Sequence, residues 1–294
     1  MLQLKAPAKL NLFLHVTGQR EDGYHSLQSL LVPINWFDEI EIIRTNNGSI
    51  ERCSAHPWDA EDDICIKAAR HLKAIAVSKR LMPSSWGCEI TIHKSIPHGA
   101  GLGGGSSDAA ACLKGLQELW KLELGPQELT EIGLKVGADV PFFLRSGPAL
   151  VTGIGETLQS QVLKTKHFVV AVPHVEVPTA LVFRNERLQR NNPAVSEDDL
   201  KVAFNQSIWT LGRNDLSHVA FTLFPDLHRG IGLLRRAANQ QGLPQETVRM
   251  SGSGSALFYS CETKAQATSL LRWLESQAES SQQFRRMRAV QAYL

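Results

Sequence analysis

The sequence predicts an α+β fold in two domains, on three observations. Stretches of period-two hydrophobic alternation and stretches of helical spacing both occur, but they do not follow one another as strict strand–helix repeats. The 294 residues are enough for one large or two ordinary domains. Beyond residue 160 the texture changes, so domains are expected at 1–158 and 159–294.

The elements follow in order. Residues 2–16 alternate toward a strand, with Leu10, Leu12 and Leu14 on one face. Gly18-Gln19-Arg20-Glu21-Asp22-Gly23 is a turn. Leu27 to Ile43 holds two apolar stretches, the second with strict period two at Glu39-Ile40-Glu41-Ile42. Asp62 to Val77 has helical spacing at Ile66, Ala69, Leu72 and Ala76. Cys88 to Lys94 alternates and is β-branched, which predicts a strand. The next helix carries an apolar stripe of Leu113, Leu116, Leu119 and Trp120, with Ser106, Ser107 or Asp108 as its N-cap. Pro126 to Gly133 is helical, and Gly137-Ala138-Asp139-Val140-Pro141 is a tight segment.

In the second half, His167 to Val172 is a strand and Arg184 to Leu200 is a long exposed connection. Arg213-Asn214-Asp215-Leu216 opens a helical region, and Thr222 to Gln240 is one helix. Arg249 to Phe258 is a second glycine turn leading into a strand, and Glu262 to Ser276 is a last amphipathic helix. Arg285-Arg286-Met287-Arg288 reads as a solvated patch.

Composition excludes several classes. A net charge of +2 without a Lys/Arg block gives no field for nucleic acid. Five cysteines, an odd number with no C-x-x-C spacing, read as free thiols in a reducing compartment. No run approaches the roughly 20 apolar residues of a membrane span, and no signal peptide opens the chain. A cytoplasmic protein is expected.

The most informative stretch is Pro97-His98-Gly99-Ala100-Gly101-Leu102-Gly103-Gly104-Gly105-Ser106-Ser107-Asp108, with five glycines in seven residues. Glycine lets backbone N–H groups face a ligand with no Cβ in the way. A bare backbone opening onto a helix N-terminus is a phosphate cradle; a glycine-rich turn with a good cap is the plainer alternative. Walker A requires a lysine after the glycines, and Ser106-Ser107 stand there. A dinucleotide fingerprint fits at Gly99, Gly101 and Gly104, but the following segment is helical rather than the strand that motif needs. The protein-kinase loop joins two strands, and no His-Arg-Asp or Asp-Phe-Gly follows.

Phosphoryl transfer needs a cradle, a cation and an acid that orients the hydroxyl. Lys9 and Asp139 are candidates, although alone Lys9 reads as a surface lysine and Asp139 as a turn or helix cap.

Pro7-Ala8-Lys9-Leu10-Asn11-Leu12, the 97–108 loop, Gly137-Ala138-Asp139-Val140-Pro141 and Ser251-Gly252-Ser253-Gly254-Ser255 occur in the order found in the GHMP small-molecule kinases. The chain resembles that family over nearly its whole length. Within it, Gly18 to His25, Val177-Pro178-Thr179 and Asn214-Asp215-Leu216 resemble the member that phosphorylates the 2-hydroxyl of 4-diphosphocytidyl-2-C-methyl-D-erythritol in non-mevalonate isoprenoid synthesis. The resemblance implies an N-terminal domain with a left-handed β-α-β unit, a ferredoxin-like C-terminal domain and an active site in the cleft between them. It implies that Asp139 contacts the hydroxyl and that Lys9 lies beside it, which would lower the acid's pKa and favour positioning with late proton acceptance. ATP would be held by Lys94, Pro97, Gly99, Ala100, Gly101, Leu102, Gly103, Gly104, Gly105, Ser106 and Ser107. Tyr24 and Phe183 would sandwich cytosine, His25 would bond its edge, and Asn11, Ile154 and Thr179 would line the pocket. Mg²⁺ is expected with ATP, held mostly by phosphates and water; its ligands are unassigned, with Ser106 or Ser107 offering hydroxyls. A monomer or weak homodimer is expected, without nucleic acid or membrane.

Other members, acting on mevalonate, homoserine or a sugar, are the nearest alternatives; a non-catalytic nucleotide-binding protein is another. Two positions depart from the family pattern. Asp62-Asp63-Ile64 stands where Asp-Asn-Leu is usual near adenine, and an aspartate cannot donate amide hydrogen bonds. Ser251 and Ser253 stand where threonine is common.

Overall fold

β1 (Leu2–Gln19) and β2 (His25–Thr45) are long strands that pair with each other. From Ala8 to Val16 every residue of β1 is buried, the polar Lys9, Asn11 and His15 included. The computed structural model describes residues 1–164, 166–205 and 211–293. It divides into two compact units: unit 1 holds residues 1–8, 36–96 and 103–146, and unit 2 holds residues 9–35, 97–102 and 147–294.

In unit 1, the C-terminal half of β2 pairs antiparallel with β4 (Gly87–His93), Glu39 opposite His93 through Thr45 opposite Gly87. β3 (Ile50–Arg52) lies parallel to β4, and α1 (Ile64–Ser78) connects the two as a β-α-β unit. α2 (Gly104–Leu119) packs against α1, α3 (Pro126–Val136) and α4 (Val140–Leu144). α2 starts earlier than expected. Gly103, left-handed at φ 70°, is its N-cap, and neither Ser106, Ser107 nor Asp108 caps it. A glycine that winds the chain into the first turn makes a side-chain cap unnecessary, and Ser107 and Asp108 are buried inside that turn.

In unit 2, Leu27 to Leu31 of β2 pair antiparallel with β5 (Ala149–Gly153), which pairs with β6 (Thr157–Ser160). A second sheet contains β7 (His167–Pro173), β8 (Val248–Met250), β9 (Leu257–Cys261) and β10 (Phe284–Gln291) in the order β10-β7-β9-β8, antiparallel throughout. Counted along the chain this is 4-1-3-2, the ferredoxin-like order. Between β7 and β8 run α5 (Thr179–Arg184), α6 (Glu197–Asn205), α7 (Ser217–Leu223) and α8 (Pro225–Gln240). α9 (Lys264–Ser276) and α10 (Ala278–Gln283) precede β10. α8 and α9 cover the sheet, with Leu227, Leu234, Leu270 and Leu274 buried against Val169, Leu257 and Tyr259.

One expectation differs from this and two are sharpened. The helix read as Thr222 to Gln240 breaks at Pro225, whose missing N–H suits the first position of a new helix. The 184–200 connection is mostly exposed, as expected, but it is pinned by buried Leu188, Asn192 and Leu200, and its end is helical, since α6 begins at Glu197. Asn192 is satisfied inside, its amide donating to the Val16 and Gln189 carbonyls, so polarity there does not mean exposure. The basic run at 285–288 lies within β10: Arg286 and Arg288 are exposed, as a solvated patch requires, Arg285 is half-buried, and Phe284 and Val290 are buried. Among the described residues no helix is long and apolar enough to cross a membrane.

Candidate functional site

Unit 2 carries the first half of the glycine stretch, 97–102. Gly101 has φ 71°, and a Cβ there would stand 2.3 Å from the Ser251 carbonyl oxygen and 2.9 Å from that of Gly254. Only glycine permits this approach of two backbones. Backbone bonds pin the loop: Lys9 N–H donates to Leu102 O at 2.9 Å, and Ala256 N–H to Ala100 O at 2.9 Å. The Ser251 hydroxyl donates to Gly101 O at 2.9 Å and accepts from the Asn11 N–H at 3.2 Å. Asn214 seats the second glycine turn, its amide donating to the Met250 and Gly252 carbonyls at 2.8 Å each.

Lys9 is not a surface lysine; it is 4% exposed. Its Nζ donates to Asn11 Oδ1 at 2.6 Å and to Gly101 O at 2.8 Å. The Asn11 amide donates to the Ser29 hydroxyl, which donates to Phe13 O. The structure thus brings Lys9, Asn11, Ala100, Gly101 and Leu102 together. Sequence reading missed Arg285, 187 residues from its contact: it donates to His98 O at 2.6 Å and to Glu176, whose carboxyl lies 3.5 Å from the Cβ position of Gly99.

Unit 1 carries Gly103 to Asp108. The first N–H groups of α2 have no partner within the helix and point out of its N-terminus, which suits an anion. Ser106 Oγ lies 3.6 Å from the Cβ position of Gly137, so the segment leading to Asp139 adjoins this turn. Asp139 is at the N-cap position of α4 but makes no side-chain capping bond, unlike the cap its sequence suggests. Lys94 bridges Asp38 at 2.5 Å and Asp108 at 2.6 Å, and Asp38 accepts the Ser95 and Ile96 N–H groups. Burial, with Asp38 nearby, pushes the Asp108 carboxyl well up despite Lys94. Burial pulls the Lys94 ammonium down, but the two carboxylates outweigh it and leave it raised. Ser107 Oγ and Asp108 Oδ1 are buried without a hydrogen-bond partner.

Asp63 is turned inward. It caps α1 through the Cys65 N–H at 2.9 Å and accepts from Arg52 at 2.9 Å and from the Trp58 ring at 3.1 Å. Burial works against its charge, but these bonds hold the carboxyl below its ordinary value.

In unit 2, the His25 and Phe183 rings lie 5.1 Å apart, and Arg190 Nε donates to His25 Nε2 at 3.1 Å. Burial and the Arg190 charge lower the His25 pKa. Tyr24 is 62% exposed, so the ring beside Phe183 is that of His25. The Thr179 and Ser253 hydroxyls bond at 2.8 Å, and Ile154 N–H donates to Glu156. Lys9 therefore belongs to one unit and Asp139 to the other.

Residues 63–147 match the family described as GHMP kinases N terminal domain. A protein of Polynucleobacter asymbioticus named 4-diphosphocytidyl-2-C-methyl-D-erythritol kinase is 39% identical over 276 residues, 94% of this chain and 89% of that one. One of the same name from Paracidovorax citrulli is 42% identical over 259 residues, 87% and 85% of the two chains. A crystal structure of 4-(cytidine 5'-diphospho)-2C-methyl-D-erythritol kinase matches 100% of both chains at 33% identity, with a TM-score of 0.81. A mevalonate kinase structure at 15% identity and a TM-score of 0.68 shares the fold alone.

Proposed function

The chain belongs to the 4-diphosphocytidyl-2-C-methyl-D-erythritol kinases of the GHMP kinase family, and from that premise we propose how its residues perform the reaction. It is an ATP-dependent small-molecule kinase of isoprenoid precursor synthesis. The reaction moves the γ-phosphoryl group of ATP to the substrate's 2-hydroxyl: a P–O bond forms at that oxygen, the β–γ bridge breaks, and ADP leaves. The observation that best supports this reading is the cradle, left-handed glycines at 99, 101 and 103 opening onto the bare N-terminus of α2.

In our reading Gly99, Ala100, Gly101, Leu102, Gly103, Gly104, Gly105, Ser106 and Ser107 hold the phosphates through backbone N–H groups and hydroxyls, and Pro97, which has no N–H to give, stiffens the entry to the loop. Lys94 acts on the same turn through Asp108. The Lys9 ammonium, oriented by Asn11 and Gly101, meets the charge that grows on the transferred group. Asp139 orients the 2-hydroxyl and takes its proton late, since a loose transition state asks little of the nucleophile. Tyr24, His25 and Phe183 take the cytosine ring, with Asn11, Ile154 and Thr179 lining the pocket. Mg²⁺ would neutralise the phosphates. The buried Ser107 hydroxyl and Asp108 Oδ1, both without partners, are hard oxygen donors that fit it. The five free cysteines support a cytoplasmic setting. A monomer or weak homodimer remains our proposal.

The test is ATP consumption with the cytidine-diphosphate methylerythritol substrate, for the parent chain and for Asp139→Ala. We expect a loss of at least about a hundredfold in the variant. Undiminished turnover would sink the role of Asp139; no turnover by the parent with ATP still bound would sink the substrate.

A further inference from the structure

The geometry points to Arg190 as a positioning residue that sets the tautomer of His25, making its Nδ1–H a fixed donor that selects cytosine over uracil. This rests on the cytidine reading above. The guanidinium carries only donors and does not lose its proton near neutral pH. Since Arg190 Nε donates to His25 Nε2 at 3.1 Å, that nitrogen must offer its lone pair. In a neutral imidazole the proton then sits on Nδ1. The ring is kept neutral, because burial and the guanidinium beside it both disfavour a second proton. His25 Nδ1 has no hydrogen-bond partner among the described residues, so the donor is available to a ligand.

Arg190 cannot easily swing away. Its Nη1 donates to Leu188 O at 3.2 Å, and its Nη2 donates to Phe183 O at 3.3 Å and Asn185 O at 3.0 Å. The same guanidinium therefore ties down the residue that supplies the aromatic face, Phe183, and the one that supplies the polar edge, His25. O2 is an acceptor in both bases, so a donor discriminates only opposite N3, which in cytosine is unprotonated and accepts. Uracil presents N3–H, which would oppose a fixed Nδ1–H donor and leave two donors facing each other. A site built to donate there rejects the wrong base because a polar group is left unpaired. With the other tautomer the preference would reverse.

The experiment combines ¹⁵N NMR of the histidine rings in the full-length protein with kinetics on the cytidine substrate and its uridine counterpart. In the parent chain His25 should show a protonated Nδ1 and a bare Nε2. Arg190→Met should shift the ring toward Nε2–H, raise KM for the cytidine substrate about tenfold with KM for ATP unmoved, and erode the preference over uridine by a similar factor. Arg190→Lys keeps a donor to Nε2 but not the fork that spans three carbonyls, so it should retain the tautomer and most of the preference. A parent ring with Nε2 protonated overturns the proposal, whether or not Arg190→Met folds. Equal loss of preference in the Lys and Met variants overturns it too, since that reduces Arg190 to a brace for 183–188. A parent with Nδ1–H that does not turn over the cytidine substrate overturns the substrate reading and the selectivity role with it, while the tautomer stands.

Discussion

In unit 1 two inward-turned cations face carboxylates: Lys94 bridges Asp38 and Asp108, and Arg52 meets Asp63. In unit 2 Arg190 sits among three carbonyls and an imidazole, and Arg249 donates to the carbonyls of Leu12 and Leu211. Burial pushes the Arg249 guanidinium down to about 10, still charged at neutral pH. The two arrangements have different consequences. A charge matched by an opposite buried charge makes its partner depend on it, so removing either exposes the fold to a bare ion. A cation seated on dipoles is oriented by them without being neutralised by them, and its direction is passed to whatever it touches. The first kind of network secures the fold; the second aims chemistry.

The largest effect that tests this contrast should come from Lys94→Met. It leaves Asp38, 0% exposed, and Asp108, 2% exposed, without their shared cation. We expect a loss of about 3–5 kcal/mol in denaturant unfolding. A loss below about 1 kcal/mol would break the contrast.

Asp63→Asn should cost less, about 2 kcal/mol, because asparagine can still accept from the Cys65 N–H while Arg52 loses its counter-charge. Its pH dependence sharpens the point. The folded Asp63 carboxyl lies below its ordinary value, so its contribution is present above the unfolded pKa and is lost as pH falls through the folded one. The stability gap between parent and Asp63→Asn should narrow below about pH 4. A gap that stays constant from about pH 7 to 3 would remove the charge from the explanation.

The smallest effect belongs to unit 2. Arg285→Ala removes a side chain 25% exposed in its ion pair with Glu176, so stability should change by under about 0.5 kcal/mol. KM for ATP should nevertheless rise about two- to threefold, since the His98 carbonyl loses its anchor. A change in melting temperature without a change in KM would place Arg285 among the fold devices instead.

How much could be read beforehand varied with range. β4 and α2 were legible because alternation and an alanine run are local signals. β10 was not: its arginines alternate with half-buried Met287 and Ala289 beside a bulge at Phe284–Arg286, so no clean hydrophobic alternation marks it. The exposed connection at 184–200 was legible from its polarity, but its anchor Asn192 was not, because it is polar yet buried, satisfied by the carbonyls of Val16 and Gln189. In the candidate site, the glycines were legible and their supports were not. Nothing near Lys9 marks it as buried, and nothing near Arg190 points to His25.

The sequence alone determined the cradle, because left-handed φ values and the absence of a Cβ are demands that each residue meets by itself. It also determined most strands and helices, whose periods are written in neighbouring residues. Only the tertiary structure decided which side chains aim the site: Arg190 to His25 across 165 residues, Arg285 to His98 across 187 and Lys94 to Asp38 across 56. Such pairs leave no local pattern, because packing of distant segments, and not the chemistry of either residue alone, brings a donor within 3 Å or so of its acceptor.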